Sequence, residues 1–299
     1  MKLKNLFCQR LSLQVSLISI AIFSASSAFA FPLTSTKPWN PSTSVQIFYT
    51  NGFAYDSVVA LSNCSGSLVK FKAAPASALA LVLTNGHCTG GSIFGGGMPN
   101  PGQVLYKKPQ VFKMNLLRQD GSTLAGLKAT QVLYGVMTDT DVGLLELNQT
   151  YAQIESATGV KPLILSDVAP APGTVIDIPS GYWKRTYSCS IEATIKTLKE
   201  GGYVFTNSLR YSPAGCEVIG GTSGSPIVSS ATGEVIAINN TGNEDGDRCT
   251  MNNPCEVDAA GTVTVLKGRG YGQQIATLST CVTAAGVFDL SVSGCVLPK

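Results

Sequence analysis

Short β-type segments separated by turn residues constrain the fold of this chain more than any other feature. Gly, Pro, Asn and Asp separate one segment from the next, and no segment with a helical pattern lies between them. Short strands at this spacing are typical of all-β barrels and sandwiches. We therefore predict an all-β protein. The segments expected to form strands are residues 45–49, 67–71, 79–84, 111–117, 130–134, 142–147, 174–178, 187–195, 203–206, 226–229, 234–238 and 262–266.

A stretch rich in Pro and Ala divides these strands into two comparable groups. It covers residues 161–173, and Pro residues of this density prevent regular structure. The stretch is therefore interpreted as an interdomain linker. We predict one domain over residues 45–160 and a second over residues 161–299.

One helix is predicted near the C-terminus, over residues 273–284. Ile275, Leu278 and Val282 fall on one face of such a helix, and Gly286 is placed to end it.

The N-terminal residues 1–30 have the pattern of a cleavable signal peptide. A basic head precedes an apolar centre over residues 11–23, and Ala28-Phe29-Ala30, with a small residue at each end, forms a cleavage site. The following residues 31–44 are rich in Pro, Ser and Thr. They are predicted to form an exposed N-terminal arm, and the protein is expected to be secreted or periplasmic.

The charge balance argues against nucleic acid as a partner. The whole chain carries 21 Lys and Arg against 18 Asp and Glu, and three of the cations but none of the anions lie in the leader. The mature chain therefore has 18 of each and no net charge, whereas a nucleic-acid-binding protein needs a basic surface. No stretch after the leader is long and apolar enough to span a bilayer, so we expect no stable membrane anchor once the leader is cleaved.

The cysteines favour a disulfide framework. One of the nine, Cys8, lies in the leader, and an even number remains in a chain expected to be exported. Eight cysteines allow 105 pairings, and the sequence does not choose among them. A zinc site is disfavoured because the chain has no Cys-x-x-Cys pair and one His, so no metal is expected. The eight cysteines are Cys64, Cys88, Cys189, Cys216, Cys249, Cys255, Cys281 and Cys295.

A single histidine restricts the chemistry that the chain can perform. His87 is the one imidazole base available at neutral pH. Asp141 opens an apolar segment further along the chain, and Asp139 competes with it as the carboxylate that orients the imidazole. We favour Asp141 because it directly precedes the strand. With Ser223 as nucleophile, the chain contains a base, an orienting carboxylate and a nucleophile, in that order, which is the set of residues that a serine hydrolase requires.

The sequence around Ser223 fits the second requirement of such an enzyme, fixed donors for an oxyanion. Glycines on both sides allow a sharp turn, which would point the N–H groups of Gly221 and Ser223 into one spot. In α/β-hydrolases a Gly-x-Ser-Gly segment is followed by the catalytic His. No His follows Ser223, which excludes that fold.

Four short motifs follow one another along the chain. They read Cys64-Ser65-Gly66-Ser67-Leu68, Thr84-Asn85-Gly86-His87-Cys88, Asp141-Val142-Gly143-Leu144-Leu145-Glu146-Leu147 and Gly221-Thr222-Ser223-Gly224-Ser225-Pro226. Taken in order, they resemble the motifs of the chymotrypsin-like serine proteases and are closest to bacterial secreted members. In that family the motifs read Cys-Gly-Gly-Ser-Leu, Thr-Ala-Ala-His-Cys, Asp-Ile-Ala-Leu-Leu-x-Leu and Gly-x-Ser-Gly-Ser/Gly-Pro.

This resemblance implies two six-stranded antiparallel β-barrels with the active site in the cleft between them. It implies that Ser223 attacks, that His87 transfers the proton and that Asp141 orients His87. It also implies a disulfide between Cys64 and Cys88.

The same resemblance bears on activation and specificity. In trypsin-like enzymes an Asp before the nucleophile pairs with a new N-terminus, but here the residue is Thr222, so we predict activity without that step. Glu217 occupies the family position at the base of the specificity pocket and would favour Lys or Arg before the cut. The alternative, a solvent-facing Glu217, stays open. Asn239, Asn240 and Thr241 are expected to line the cleft as substrate-binding residues.

The sequence therefore predicts a secreted, monomeric serine endopeptidase that acts on protein or peptide substrates and needs no cofactor. A catalytically silent protease-like protein that binds a partner through the same cleft is the alternative. Loss of a triad residue would mark such a protein, and none is lost.

Overall fold

The computed structural model describes residues 55–90 and 97–299. The predicted signal peptide, the N-terminal arm and the first expected strand, residues 45–49, lie outside the described residues. Within the described part, no helix has the length and apolar character needed to cross a membrane.

The first barrel is a closed ring of six antiparallel strands. The order around the ring is β1-β4-β5-β6-β3-β2, and pairing of β2 with β1 closes it. A short seventh strand, β7, pairs in parallel with the outer edge of β2. The strands are β1 Val58–Ala60, β2 Ser65–Lys70, β3 Leu79–Thr84, β4 Val104–Leu117, β5 Thr123–Val136, β6 Val142–Thr150 and β7 Leu163–Ile164.

The second barrel closes in the same way. Its ring order is β10-β15-β12-β11-β8-β9, and β9 pairs with β10 to complete it, while β13 and β14 extend the sheet beyond β9. The predicted pair of six-stranded barrels is thus confirmed. The strands are β8 Val175–Ser180, β9 Arg185–Glu200, β10 Tyr203–Tyr211, β11 Pro226–Ser229, β12 Val235–Gly242, β13 Cys255–Val257, β14 Val263–Thr264 and β15 Gly270–Gln274.

Alternation of buried and exposed side chains explains why these segments form strands. In β9, Tyr187, Ile191 and Ile195 are buried at intervals of four residues, while the residues between them are more exposed. An interval of four residues is two repeats of the two-residue period of a strand, so these side chains lie on the same face, the one packed on the core. Strands 79–84 and 226–229 have the predicted bounds. Most of the others extend further than predicted, because β-pairing continues beyond the apolar segment.

One helix was missed, α1 at Tyr151–Thr158. Only Tyr151 and Ile154 of its eight residues are buried, so it has too few apolar positions to produce a helical pattern. A capping box between Thr150 and Gln153 starts it, and Gly159 ends it at φ 74°. The Thr-x-x-Gln spacing was a signal that could have revealed it.

The C-terminal helix is shorter than predicted and is of the 3₁₀ type. It covers Ala276–Cys281, and the first two residues of the predicted segment belong to β15 instead. Leu278 is buried in it, as the apolar face predicted. Pairing of Gln273 with Ile238 and of Gln274 with Ala237 of β12 overrides the helical pattern at these two residues.

The C-terminal tail packs on the core of the first barrel. The ring of Phe288 lies 6.1 Å from that of Phe71 and 5.5 Å from that of Tyr134. A disulfide between Cys281 and Cys295 closes the tail. The domain boundary between residues 160 and 161 remains a prediction. Two segments that follow this boundary in the chain, β7 and the C-terminal tail, contact the first barrel.

All eight cysteines outside the leader are paired. The Cys64–Cys88 bridge implied by the family resemblance is present. The other three bridges are Cys189–Cys216, Cys249–Cys255 and Cys281–Cys295.

Candidate active site

Both barrels contribute to one cleft, which contains a cavity of about 90 Å³. His87 and Asp141 reach it from the first barrel, and Ser223 and Tyr203 from the second. The three residues predicted as the triad therefore lie in one place, although up to 136 residues of chain separate them.

His87 begins a 3₁₀ helix directly after β3. The chain turns there at Gly86, where a side chain would collide with the carbonyl group of Val136. Cys88, next along the chain, is bridged to Cys64 at the start of β2. Because their sulfurs are joined, these two cysteines offer no thiolate for a metal beside His87.

Asp141 holds His87 through two bonds. Its Oδ2 lies 2.7 Å from Nδ1 of His87, and its Oδ1 accepts the backbone N–H of His87 at 3.0 Å. The Asp141 side chain is 1% exposed and that of His87 is 22% exposed. Asp139, the competing carboxylate, is exposed, and its backbone pairs with β10 instead.

The environment of His87 favours its protonated form. Burial alone would lower its pKa, but the charge and hydrogen bond of Asp141, together with the charge of Glu200, outweigh burial and raise it. The carboxylates thus make the imidazole a stronger base.

Ser223 lies in the loop between β10 and β11. Its hydroxyl donates to the carbonyl oxygen of Asn240 at 3.2 Å, and no hydrogen bond joins it to His87 in the described structure. Catalytic hydrogen bonds are often long or misaligned before substrate binds. The neighbouring Thr222 is buried, and its Oγ1 accepts from Nδ2 of Asn239 at 3.0 Å.

Four backbone N–H groups around the nucleophile divide into two pairs. Thr222 N–H donates to Ile219 O at 3.0 Å, and Gly224 N–H donates to Asn239 O at 3.0 Å. Among the residues that the structure describes, the N–H groups of Gly221 and Ser223 have no acceptor. These are the two groups predicted to hold an oxyanion, and Gly221 has the positive φ, 89°, that the turn requires.

Partners outside the loop orient its carbonyl groups. Nε1 of Trp183 donates to Gly220 O at 2.7 Å, and Ser65 Oγ donates to Gly221 O at 3.2 Å. The backbone N–H of Ser65 donates to Ser223 O at 2.7 Å. In a trans peptide, C=O and N–H point in opposite directions. Holding Gly220 O at Trp183 therefore points the N–H of Gly221 away from Trp183.

Sequence reasoning missed this support. Ser65 Oγ also lies 3.0 Å from Oγ of Ser180, and it accepts the N–H of Tyr182 at 3.1 Å. The family motif has Gly where this chain has Ser65, so the departure itself was a visible signal. Nothing in the sequence placed Trp183 beside the loop, because the two are 37 residues apart.

The predicted substrate-binding residues divide into two groups. Asn239, Asn240 and Thr241 line the cleft, at the end of β12 that extends beyond β11. Glu217 does not. It is exposed, and Oε1 accepts the N–H of Gly215 at 3.2 Å, so the solvent-facing alternative is the one that the structure favours.

A second carboxylate lines the cleft in its place. Glu200 ends β9 and is 6% exposed. Burial raises its pKa, while hydrogen bonds from Thr241 and from the N–H of Asn252 act in the opposite direction. No sequence motif marks Glu200. It reaches the cleft because the β9–β10 hairpin is long enough to carry it there.

The fold and the cleft residues place the chain in the class of serine peptidases with a chymotrypsin-like fold. The sequence identifies the family. Residues 64–238, more than half of the chain, match the family described as trypsin-like peptidase domain, and the chain belongs to this family. No curated protein matches its sequence.

Solved structures similar to the chain are also proteases. The MamO protease domain from Magnetospirillum magneticum is 14% identical, with 77% of this chain and 97% of that chain covered and a TM-score of 0.47. For a Glu endopeptidase the values are 15%, 76%, 88% and 0.42, and for kallikrein-related peptidase 10 they are 16%, 75%, 91% and 0.42. The family assignment rests on the sequence match.

Proposed function

We propose that the protein is an exported serine endopeptidase that forms an acyl-enzyme on Ser223. One observation carries this proposal. Two backbone N–H groups without acceptors among the described residues, those of Gly221 and Ser223, lie on the nucleophile loop, and this loop lines the cleft that also contains the His87–Asp141 pair. Such donors are what a developing oxyanion requires.

The residues would act in a defined sequence. As Ser223 Oγ bonds to the carbonyl carbon, its proton passes to His87, and the negative charge on the carbonyl oxygen meets the two N–H groups. Collapse of this intermediate breaks the C–N bond, and His87 gives its proton to the leaving amine. Water then attacks the ester with His87 again as base, the bond between the acyl carbon and Ser223 Oγ breaks, and His87 returns the proton to that oxygen. Asp141 keeps the imidazole in the required tautomer throughout.

Thr222 supports activity without insertion of a new N-terminus. In this chain its hydroxyl, held by Asn239 at 3.0 Å, takes the place of the Asp that the switch needs. Purified mature protein should therefore react with an active-site label without further cleavage. A requirement for such cleavage would disprove this part of the proposal.

Export is part of the proposal. Four disulfides in the described structure fit an oxidising compartment, and residues 1–30 have the pattern of a cleavable leader. The expected result is a mature N-terminus at Phe31, measured by N-terminal sequencing of protein recovered outside the cytoplasm.

The proposal also includes a preference for Lys or Arg before the cut, but this preference is now attributed to other residues than Glu217. Glu217 lies away from the cleft, but the acidic groups Asp141, Glu200 and Glu244 line it. Their charge favours cationic peptides.

One observation favours the alternative of a silent binding protein. The Ser223 hydroxyl donates to Asn240 O rather than to His87. A fluorophosphonate probe separates the two functions, because it labels only a serine that a base activates. We expect labelling of the wild type, none of Ser223→Ala, and hydrolysis of unfolded protein substrates. A folded wild type that takes up no label would favour the binding protein.

A further inference from the structure

Glu200 uses one of its two carboxylate oxygens to hold the structure together. Oε1 accepts from Thr241 Oγ1 at 2.9 Å and from the backbone N–H of Asn252 at 2.8 Å. These bonds tie the end of β9 to β12 and to the loop closed by the Cys249–Cys255 bridge. Oε1 alone therefore accounts for the hydrogen bonds by which Glu200 holds the structure together.

The other oxygen, Oε2, has no partner among the described residues. The side chain is more than nine-tenths buried, yet Oε2 is not one of the buried side-chain atoms left without a hydrogen bond. With respect to the described residues it therefore has accessible surface, and the cavity is the space that Glu200 lines. A carboxylate oxygen in this position is costly unless a partner reaches it.

The surroundings of Glu200 restrict the chemistry of that partner. Apolar walls are supplied by Met137, Tyr203 and Phe205, all of which are buried. No Lys or Arg of residues 55–90 or 97–299 lines the cavity, whereas Glu244 adds a further carboxylate at its exposed rim. Apolar side chains beside an unpaired carboxylate fit an aliphatic chain with a cationic end.

We propose that Glu200 forms the floor of a substrate side-chain pocket that binds Lys or Arg of the peptide through Oε2. The proposal rests on the proposed peptidase function for its physiological meaning, and it moves the cation-binding role from Glu217 to a residue on a different hairpin. A charge-assisted hydrogen bond of about 1.5–3 kcal/mol corresponds to a discrimination of about 10- to 100-fold between a cationic and a neutral side chain.

Glu200 also acts on the catalytic base, which gives a second readout. Its negative charge contributes to the raised pKa of His87. The titratable groups that line the same cavity are His87, Asp141, Tyr203 and Glu244. Removing the charge of Glu200 lowers the pKa of His87, so the acidic limb of kcat/KM should move to lower pH.

The test compares peptides that differ at one position, with Lys, norleucine or Glu placed in turn at each of four residues before the cut. Norleucine retains the length of Lys without its charge. The wild type should prefer Lys over norleucine by about 10- to 100-fold in kcat/KM at one of these positions. Glu200→Gln should reduce this ratio to about threefold or less, because Gln retains the bonds of Oε1 and loses the charge.

Two comparisons keep the outcome decisive. Glu217→Gln tests the residue that the sequence pointed to: loss of the Lys preference in this variant, with the preference retained in Glu200→Gln, would overturn the proposal. Binding of the Lys and norleucine peptides to Ser223→Ala, measured by fluorescence anisotropy, tests the pocket without turnover. Equal affinity there would also overturn it, whereas a failure of the peptidase function would be seen separately as absent fluorophosphonate labelling.

Discussion

The imidazole–carboxylate pair and the serine loop share one cleft, but the protein positions them differently. His87 and Asp141 belong to the same barrel, and their two mutual bonds of 2.7 and 3.0 Å are made within it. The loop of Ser223 depends on residues outside its own element. Ser65 of the other barrel holds two of its carbonyl groups, and Trp183 of the β8–β9 turn holds a third.

His87 and Asp141, which are positioned within their own barrel, form the built-in side of the site. The loop of Ser223, which is positioned by residues of other elements, forms the imposed side. The base is fixed by a motif and its own strand neighbours. In the nucleophile loop, the N–H of Gly221 is left without an acceptor on a peptide whose carbonyl group, Gly220 O, is held by Trp183.

The largest effect is expected when either side is removed. His87→Ala, Ser223→Ala and the double variant should each lower kcat by about a million-fold, because the residues act as one unit and their losses do not add. Turnover of a sensitive peptide substrate, with protein freshly purified from a host lacking other proteases, measures this. A double variant about a thousand-fold or more below either single variant would mean that the two sides act independently.

The next effect tests the built-in side alone. Asp141→Asn should reduce kcat by about ten-thousand-fold, because an amide at Oδ2 favours the wrong imidazole tautomer. Asp139→Asn is the matched control, since Asp139 is exposed two residues away, and it should retain activity within about twofold. Equal losses in both variants would contradict the assignment of Asp141.

The same difference explains what the sequence could predict. The all-β fold, its two barrels and the meeting of His87, Asp141 and Ser223 follow from motifs whose residues are local or carried by strand patterns. Glu217 was placed by family position, and a changed loop turns it to solvent. Ser65, Trp183 and Glu200 act through tertiary contacts, which no local spacing records. Gln273 and Gln274 show the same limit, since strand pairing with β12 overrides their helical pattern.

One disulfide lies next to His87 and another reaches the loop of Ser223, so the contributions of these two regions to the free energy of unfolding can be compared. The Cys64–Cys88 and Cys189–Cys216 bridges close loops of nearly equal length, with separations of 24 and 27 residues. Chain entropy then predicts that removing either bridge, by Cys→Ala at both positions, lowers the free energy of unfolding by about 3 kcal/mol. Denaturant unfolding measures both. A difference of about 1.5 kcal/mol or more would show that native contacts around one bridge, rather than loop closure, set its contribution.

The smallest effect sharpens the comparison most, because it tests the imposed side without touching the reacting groups. Trp183→Phe retains an aromatic ring but removes the donor to Gly220 O. The Gly220–Gly221 peptide can then rotate, which withdraws one oxyanion donor part of the time. Because complete loss of a donor costs about 100- to 1,000-fold, we expect kcat to fall by about tenfold with KM nearly unchanged.

A transition-state analogue separates positioning from a general loss of structure. Affinity for a peptide trifluoromethyl ketone should fall with kcat in Trp183→Phe, since both depend on the N–H of Gly221, while affinity for a substrate-like peptide stays within about twofold. Tyr182→Phe is the control: its ring also packs against Gly221, but its hydroxyl makes no hydrogen bond within the described residues. If Trp183→Phe weakened the ketone and the substrate-like peptide equally, Trp183 would shape the cleft rather than orient the oxyanion donor, and the serine loop would have to be positioned by Ser65 alone.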